Sequence, residues 1–544
     1  MRKYWLEIIV FGVIGAVLIN NLAPNITWMN TDSDGAHYVL AAKYMLVSHH
    51  TSAPLFLLLG RLFLFLPFGT EAWRMGLISV FATTGGAIFI YLIVRRLVDK
   101  RFYAMISALV FGGSALVISQ STIVETYALS TCFMLGAYYF SIKKQWLLVA
   151  VMIGLLWAVH TLFAVILWGV LLISHKELRD VILVGVTLLF LLFYLYIPIS
   201  TAVNGDLGMW GNTTLSGFFQ NSFGVFTMLT GGLAVVDFPK RILDTLGILG
   251  VSLGLGLVII GVYIKRLKRR WRSSLIWLFL IPVVWFAVNL AQQTYVYMMP
   301  SIGFGAIMVG LGLSKMKKVW VVATLVVAIG LMGFNAHYFD IGRTLDTEMS
   351  AVKFYEEELP KIPDGDYFMA GGWTWAMTYL YNKEENRYII PISIDALSSR
   401  EYWVVLDDMG IKYDRNLLPL DSNMGYITKQ GKMALSIIEL NEGVWIAKET
   451  KPEVYQYTIE LAKGNEAYIG RWIGQEVKPE WRWKPSNPYK FVSGELEVEE
   501  WHHILWVRNA TGLGQMLFVI VFGIYGYGVY FVMMRLWKRK QQSK

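Results

Sequence analysis

Twelve strongly apolar segments run through most of this 544-residue chain. About 20 apolar residues suffice for a helix that crosses the hydrocarbon core of a bilayer. The segments are residues 5–22, 72–94, 102–118, 123–142, 145–159, 161–174, 180–198, 242–264, 273–290, 295–313, 319–337 and 513–535. They predict a polytopic α-helical membrane protein with about 12 transmembrane helices.

The composition agrees with this class and excludes several functions. Hydrophobic residues make up 56% of the chain and charged residues only 16%, which excludes an ordinary soluble protein. The net charge of +9 comes from short basic runs beside apolar segments, so topology explains it and we assign no nucleic-acid partner. The single cysteine, Cys132, excludes an intramolecular disulfide, a CxxC zinc site and a thiol redox pair.

The basic runs also orient the chain, because Lys and Arg concentrate in cytoplasmic loops. With twelve spans, all of these runs fall on one side, whereas the short connections on the other side contain neither residue. We therefore predict cytoplasmic termini, in the cell membrane or in the endoplasmic reticulum if the source is eukaryotic, and an active site outside or lumenal. The segment 57–66 is too short to span and is predicted to be interfacial or re-entrant.

This topology predicts three domains. Residues 1–337 form a transmembrane module with outer loops 23–71 and 199–241, residues 338–512 form an extracytoplasmic soluble domain, and residues 513–544 form the last helix and a basic cytoplasmic tail. In the soluble domain, 343–411 alternates strands (DYFMAGG, YIIPIS) with helices (TWAMTYLY, SREYWVVLDDMG), which predicts an α/β fold. Residues 412–510 are predicted to be β-rich, with MGYITK, MALSIIEL, GVWIAK and YTIEL as strands.

The outer stretch 30–56 carries two aspartates and three histidines beside the membrane. Ionisable residues there usually have a function, although a solvated loop followed by an interfacial helix is the plain alternative. A partly desolvated carboxylate such as Asp34 can take a proton from an acceptor hydroxyl while a sugar leaves an anionic carrier. Asp32 and Asp34 also spell DxD, which chelates a divalent cation in some sugar-transferring enzymes, so a cation there is left open.

The sequence DGAHYVLAAKYMLVSHHTSAPLFLLLGRLFLFLPFGTEAWRMGLIS resembles the first outer loop of the C-fold (GT-C) membrane glycosyltransferases. It is most similar to the family that includes the animal transmembrane protein O-mannosyltransferase acting on plexin-type domains. SQSTIVETYAL, GLLWAVH and YIPISTAVNGDLGMWGNTTLSGF resemble later motifs of that family. The resemblance implies that Asp34 is the general base, assisted by Asp32. It further implies contacts to the donor phosphate or substrate from His37, His49, Arg61, Arg74, Gln120, Glu125, His160 and Trp210.

The resemblance implies an inverting transfer of mannose or another hexose from a polyprenyl-phosphate donor to a protein, lipid or glycan acceptor. We assign no resident metal and no certain cofactor. The family has a glutamate where this chain has His37, which keeps a non-catalytic membrane subunit of an outer-surface complex as the alternative. A 12-helix transporter is a further alternative, disfavoured by the large outer domain and by the scarcity of acidic residues inside the spans.

Overall fold

The chain forms a helical bundle joined to a small α/β unit. The computed structural model describes residues 5–27, 34–48, 53–204, 238–254, 256–257, 259–260, 269–288, 294–338, 355–356, 359–370, 372–393, 397, 400–417 and 426–446. The helices of the bundle are α1 Trp5–Asn20, α2 Gly35–Tyr44, α3 Pro54–Phe63, α4 Glu71–Val98, α5 Arg101–Gly112, α6 Ala115–Ser121, α7 Tyr127–Ile142, α8 Trp146–Trp157, α9 Thr161–Ser174, α10 Val181–Leu189, α11 Tyr196–Asn204, α12 Phe238–Leu253, α13 Arg269–Val288, α14 Met299–Leu313 and α15 Lys318–Tyr338.

The bundle has the length and apolarity of an integral membrane protein. Within the described residues, four helical stretches are long and apolar enough to span a bilayer, and the bent pair α5 and α6 would make a fifth. The four are Glu71–Val98, Val181–Val203, Tyr295–Leu313 and Lys318–His337. Each predicted span up to residue 337 contains a described helix. The segment 513–535 lies outside the described residues, so the count of twelve stays a prediction.

A break separates α5 from α6 and bends this helical pair inside the bundle. The two helices meet at a bend of 62°, and the Nδ2 atom of buried Asn335 donates a 2.8 Å hydrogen bond to the Gly113 carbonyl in the break. A Cβ at Gly113 would lie 2.7 Å from the Cβ of Met332, so glycine is needed for the close approach of α15. The connection after α6 is also fixed, because Ala23 N donates to the carbonyl of Thr122 at 2.8 Å.

The short helix α3 agrees with the predicted interfacial segment. Its ten residues give a length of about 15 Å, which is too short to cross a bilayer. One face of α3, including Phe56 and Gly60, is buried, whereas Leu62 is exposed. Its first turn is held by a 3.0 Å hydrogen bond from Leu55 N to the carbonyl of Ala158, in the connection between α8 and α9.

The α/β unit contains β1 Tyr367–Ala370, α16 Gly372–Glu385, β2 Ile390–Ser393, α17 Arg400–Asp408, α18 Tyr426–Leu440 and β3 Val444–Ile446. The three strands form a parallel sheet in the order β2-β1-β3. Alternate residues of β1 face opposite sides, so Phe368 packs with α16 against the bundle and Met369 packs with α17 and α18. The predicted strands DYFMAGG, YIIPIS and GVWIAK and the predicted helices TWAMTYLY and SREYWVVLDDMG are confirmed.

The prediction of strands at MGYITK and MALSIIEL is wrong, because α18 covers both from residue 426 onwards. The buried residues of this helix are Met433, Ala434, Ile437 and Ile438, with the shorter Ser436 between them. A spacing of one and four residues places the four apolar side chains on one face of a helix, whereas a strand would alternate them. The region is therefore α/β up to β3, and YTIEL lies outside the described residues.

The first span contains a buried acidic residue, Glu7, that was not predicted from the sequence to have a role. Glu7 in α1 is 6% exposed and accepts hydrogen bonds from Arg101 Nε at 2.7 Å and Arg101 Nη2 at 2.5 Å. The hydroxyl of Tyr91 donates a third bond at 2.6 Å. This network joins α1, α4 and α5 at the end of the bundle that carries the basic loops.

Labelling with a membrane-impermeant maleimide on intact cells tests the predicted orientation. In a Cys132→Ala background, Ser273→Cys should stay unlabelled, because the adjoining basic run 265–272 is predicted to be cytoplasmic. Tyr388→Cys, at an exposed position of the α/β unit, is the matched control and should be labelled. Labelling of Ser273→Cys from outside would show that the predicted orientation is inverted.

Candidate active site

Asp34 stands at the N-terminus of α2, in the helix N-cap position. Its carboxylate makes no hydrogen bond to the N–H groups of the first turn, so the side chain is not used as a helix cap. The partial positive charge of the helix N-terminus nevertheless favours a carboxylate at this place. Asp34 therefore begins a helix of the predicted outer loop, and its side chain does not cap that helix.

Tyr38, one helical turn after Asp34, shows that a second carboxylate is near. Its ring is buried and lies 5.1 Å from the ring of Phe56. Burial, together with the negative charges of Glu125 and Asp34, raises the pKa of Tyr38 well above its ordinary value. Both carboxylates thus act on one phenol, which stays protonated and can donate a hydrogen bond at neutral pH.

Glu125 reaches this cluster from the connection between α6 and α7. It is 3% exposed, and its Oε2 atom accepts a 3.1 Å hydrogen bond from Thr126 N. Its backbone carbonyl is held by the hydroxyl of Ser79 at 3.0 Å. A buried carboxylate close to a second one is a common feature of functional sites. Because a carboxylate accepts hydrogen bonds and repels a phosphate, Glu125 suits contact with hydroxyl groups of a substrate.

His160 lies in the connection between α8 and α9, beside two tyrosines. Its ring stacks on Phe163 at 4.1 Å and lies 5.8 Å from the ring of Tyr127 and 5.5 Å from that of Tyr297. Asp34 and Glu125 also act electrostatically on both tyrosines, which places His160 in the same cluster. Burial lowers the pKa of His160 to about 3. The imidazole is therefore neutral at pH 7 and can offer a phosphate one N–H but no positive charge.

Arg61 lies at the far end of α2, and Arg74 lies beside the segment that follows α3. Arg61 Nη1 donates to the carbonyl of Lys43 at 2.5 Å. Arg74 Nη1 donates to the carbonyls of Leu64 at 2.6 Å and Leu66 at 2.9 Å. Neither half-buried guanidinium forms an ion pair with another described residue. Both arginines thus have a local structural role, and among the described residues neither guanidinium is neutralised by a carboxylate.

His37 occupies the place where the resembling family has a glutamate. It is buried on α2, and its ring stacks on that of Trp375 with centroids 6.1 Å apart and planes at 13°. Trp375 belongs to the first turn of α16. The residue that departs from the family pattern therefore contacts the α/β unit.

Residues 34–180 match the family model described as "Protein O-mannosyl-transferase TMEM260 N-terminal domain". This segment, called the TMEM260-type domain below, is similar to that N-terminal domain. The resemblance drawn from the sequence is thereby confirmed, and the matched segment contains Asp34, His37, Arg61, Arg74, Gln120, Glu125 and His160. A comparison with curated proteins finds no match for the chain.

Solved structures resemble about three quarters of this chain, which is more than the TMEM260-type domain. ArnT from Cupriavidus metallidurans bound to undecaprenyl phosphate aligns with a TM-score of 0.51 and 13% identity, covering 74% of this chain and 95% of ArnT. The apo state of ArnT aligns with a TM-score of 0.51 and 11% identity, covering 75% of this chain and 95% of ArnT. The Archaeoglobus fulgidus oligosaccharyltransferase aligns with a TM-score of 0.40 and 12% identity, covering 76% of this chain and 69% of the oligosaccharyltransferase chain. The likeness to ArnT shows a shared fold over about three quarters of this chain, the GT-C fold that the sequence resemblance implied.

Four further predicted site residues cannot be placed in the cluster around Asp34. Gln120 lies in α6 of the TMEM260-type domain and is fully buried. Asp32, His49 and Trp210 lie outside the described residues. Within the described residues no three His, Cys, Asp or Glu side chains come close enough to hold a metal ion. A divalent cation at Asp32 and Asp34 stays a prediction.

The structure adds three residues that the sequence reading left out of the site. Tyr38 could have been found, because four residues after Asp34 places it on the same face of a helix within the TMEM260-type domain. Tyr297 at the start of the span Tyr295–Leu313 and Trp375 in α16 lie outside that domain. Their distance along the chain leaves no local pattern that points to the site.

The substitution Arg74→Ala separates a donor-binding role from a structural one. If Arg74 binds the donor phosphate, the donor KM should rise about tenfold or more, because a hydrogen bond to a charged group contributes roughly 1.5–3 kcal/mol. Loss of the bonds to Leu64 and Leu66 should also lower the thermal midpoint. The measurement is donor KM and midpoint for Arg74→Ala beside Arg74→Lys, which keeps the charge. A lower midpoint with an unchanged donor KM would remove Arg74 from the donor site.

Proposed function

We propose that this chain is a membrane glycosyltransferase that moves mannose or another hexose from a polyprenyl-phosphate donor to a protein, lipid or glycan acceptor on the extracytoplasmic side. The observation that carries the proposal is the position of Asp34, whose carboxylate does not cap α2 and shares a cluster with Glu125 where the bundle meets the α/β unit. The TMEM260-type domain and the ArnT-like fold support it, and one ArnT structure holds undecaprenyl phosphate.

In the proposed reaction Asp34 accepts the proton of the acceptor hydroxyl. The acceptor oxygen attacks the anomeric carbon, and the bond from that carbon to the donor phosphate oxygen breaks with its electron pair staying on the phosphate. The products are a glycoside of inverted configuration and a polyprenyl phosphate. Glu125 and the phenol of Tyr38 are placed to hold hydroxyl groups, since one accepts and the other can donate hydrogen bonds.

The donor phosphate is expected on the side of the sugar opposite to the base. An inverting transfer places four groups in a line: the base, the acceptor oxygen, the anomeric carbon and the leaving oxygen. Reacting groups that are neighbours in this line are about 3 Å apart. Asp34 and the Arg61 contact at Lys43 are nine residues apart along α2, which is about 14 Å. A positive guanidinium beyond the far end of α2 thus suits the lipid phosphate, and neutral His160 suits a single hydrogen bond to it.

The alternative is a non-catalytic subunit with the same fold. It is favoured by one observation, the use of His37 for stacking on Trp375 where the family has a glutamate. Against it, Glu125 supplies a second carboxylate to the cluster from another part of the TMEM260-type domain.

A transfer assay with purified full-length protein in lipid nanodiscs decides between the two functions. The donor is radiolabelled mannosyl-phosphoundecaprenol, and an extracytoplasmic protein and lipid fraction serves as acceptor. The glycosyltransferase should transfer label and release undecaprenyl phosphate in equal amount. A non-catalytic subunit transfers none, and neither does a transporter, which would move the labelled donor intact.

A further inference from the structure

The helix that carries Asp34 is held along its length by the α/β unit. A helix of ten residues has little stability of its own in water, so its orientation depends on packing. All residues from Gly35 to Ala42 are buried, on all sides of the helix. The elements that pack against α2 include α3 and α4 in the bundle and α16 in the α/β unit.

The first contact with α16 lies next to Asp34. His37 follows Asp34 by three residues and is therefore on the same side of α2. Its ring stacks on Trp375, which is 3% exposed and is itself supported by Tyr379 at 5.3 Å. Since Trp375, Ala376 and Leu380 belong to the same hydrophobic core as the bundle, this face of α16 is continuous with the module that contains the site.

The second contact lies at the other end of both helices. Lys43 Nζ forms an ion pair with Glu71 Oε1 of α4 at 2.9 Å and a second one with Glu384 of α16. Burial lowers the pKa of Lys43, but the hydrogen bonds to Glu384 and Glu71 outweigh it and raise that pKa, so the lysine is charged at physiological pH. The hydroxyl of Tyr355 donates to Glu384 at 2.7 Å and orients its carboxylate.

The two contacts fix α2 at both ends. Trp375 and Glu384 are nine residues apart on α16, about 14 Å, and their partners His37 and Lys43 are six apart on α2, about 9 Å. The helices therefore run side by side in the same direction. Together with the packing on α3 and α4, the two contacts set both the direction of α2 and the place of its N-terminus.

We propose that Trp375 and Glu384 are positioning residues, through which the α/β unit holds α2 so that Asp34 can act as the base. The inference rests on the proposed role of Asp34. Turnover should then depend on contacts that the α/β unit makes far from the reacting atoms. A displacement of about 1 Å in a catalytic group costs about 10²-fold in rate, which sets the scale of the effect.

The test uses full-length protein, the labelled mannosyl-phosphoundecaprenol assay and four substitutions. Glu384→Ala should lower kcat roughly 10- to 100-fold with an unchanged donor KM and thermal midpoint. The matched control is Glu385→Ala, on the neighbouring residue, whose carboxylate accepts a long hydrogen bond from the Tyr355 hydroxyl at 3.5 Å, and it should keep wild-type kcat. Trp375→Phe keeps a ring that can stack on His37 and should retain most of kcat, whereas Trp375→Leu should lose it.

The outcomes separate this inference from the function on which it rests. If Glu384→Ala has the same kcat as Glu385→Ala while Asp34→Asn has lost turnover, the role of Asp34 stands and the positioning role of α16 is overturned. If Asp34→Asn itself keeps wild-type turnover, the proposed function fails first. If the loss of kcat in Glu384→Ala is fully explained by a lower thermal midpoint, the positioning role is also overturned.

Discussion

Replacement of Asp34 by asparagine should reduce kcat by ~10²–10⁴, the usual contribution of a general base. The amide has nearly the size of the carboxylate but cannot accept the proton of an acceptor hydroxyl. The donor KM should change little, because Asp34 is not proposed to touch the phosphate. The thermal midpoint should also stay close to that of the wild type, since the Asp34 side chain makes no capping bond that asparagine would lose. The measurement is turnover per folded molecule with labelled mannosyl-phosphoundecaprenol.

An aspartate that does cap a helix is the matched control. The side chain of Asp180 accepts a 2.8 Å hydrogen bond from Ile182 N at the start of α10. Asp180→Ala should therefore cost about 1 kcal/mol of stability and leave turnover per folded molecule unchanged. Asp32→Asn should lower turnover less than Asp34→Asn unless the two residues share a cation. An Asp34→Asn protein that is active and only less stable would show that Asp34 is not the base.

Removal of the buried carboxylate of Glu7 should produce the largest loss of stability among the substitutions considered. Glu7→Ala leaves Arg101 and Tyr91 without their acceptor inside the bundle. Breaking a fully buried pair costs about 3–5 kcal/mol. Since the Arg101 side chain is 38% exposed and partly screened, we expect about 2–3 kcal/mol. Unfolding followed by tryptophan fluorescence in detergent measures the change.

Two further variants separate the effect of the buried pair from that of charge. Arg95→Ala removes a surface pair in which Asp99 is 91% exposed, and it should cost about 0.5 kcal/mol or less. The double variant Glu7→Met with Arg101→Met removes both charges and should regain most of the lost stability, because no buried charge is left unpaired. A Glu7→Ala protein as stable as Arg95→Ala would mean that the network contributes little.

The sequence predicted those features that have a strong local pattern. Long apolar segments specify the helices of the bundle, and the alternation of short apolar strands with helices specifies β1, α16, β2 and α17. Family motifs brought Asp34, Glu125 and His160 into one prediction, and in the structure all three lie around Tyr127. Residues of separate family motifs come together in space because the ends of α2, α6 and α8 meet on one side of the bundle.

Features set by long-range packing were not predictable from local pattern. The helix α18 was taken for strands because Ile437 and Ile438 favour strands in isolation, but its buried face has helical spacing. The local roles of Arg61 and Arg74 depend on carbonyl groups exposed at the ends of α2 and α3. The contact of Trp375 with His37 joins residues more than 300 positions apart, so no short pattern announces it.

The location of bound undecaprenyl phosphate tests the proposed site most directly. In a cryo-electron microscopy map of the full-length protein with this lipid, we expect the phosphate between the cluster that contains Asp34 and His160 and the guanidinium groups of Arg61 and Arg74. In-line transfer requires it within about 10 Å of the Asp34 carboxylate. A phosphate bound instead beside Glu7 and Arg101, or against the apolar surface of Phe190 and Phe193, would contradict the assignment of the active site to this end of the bundle.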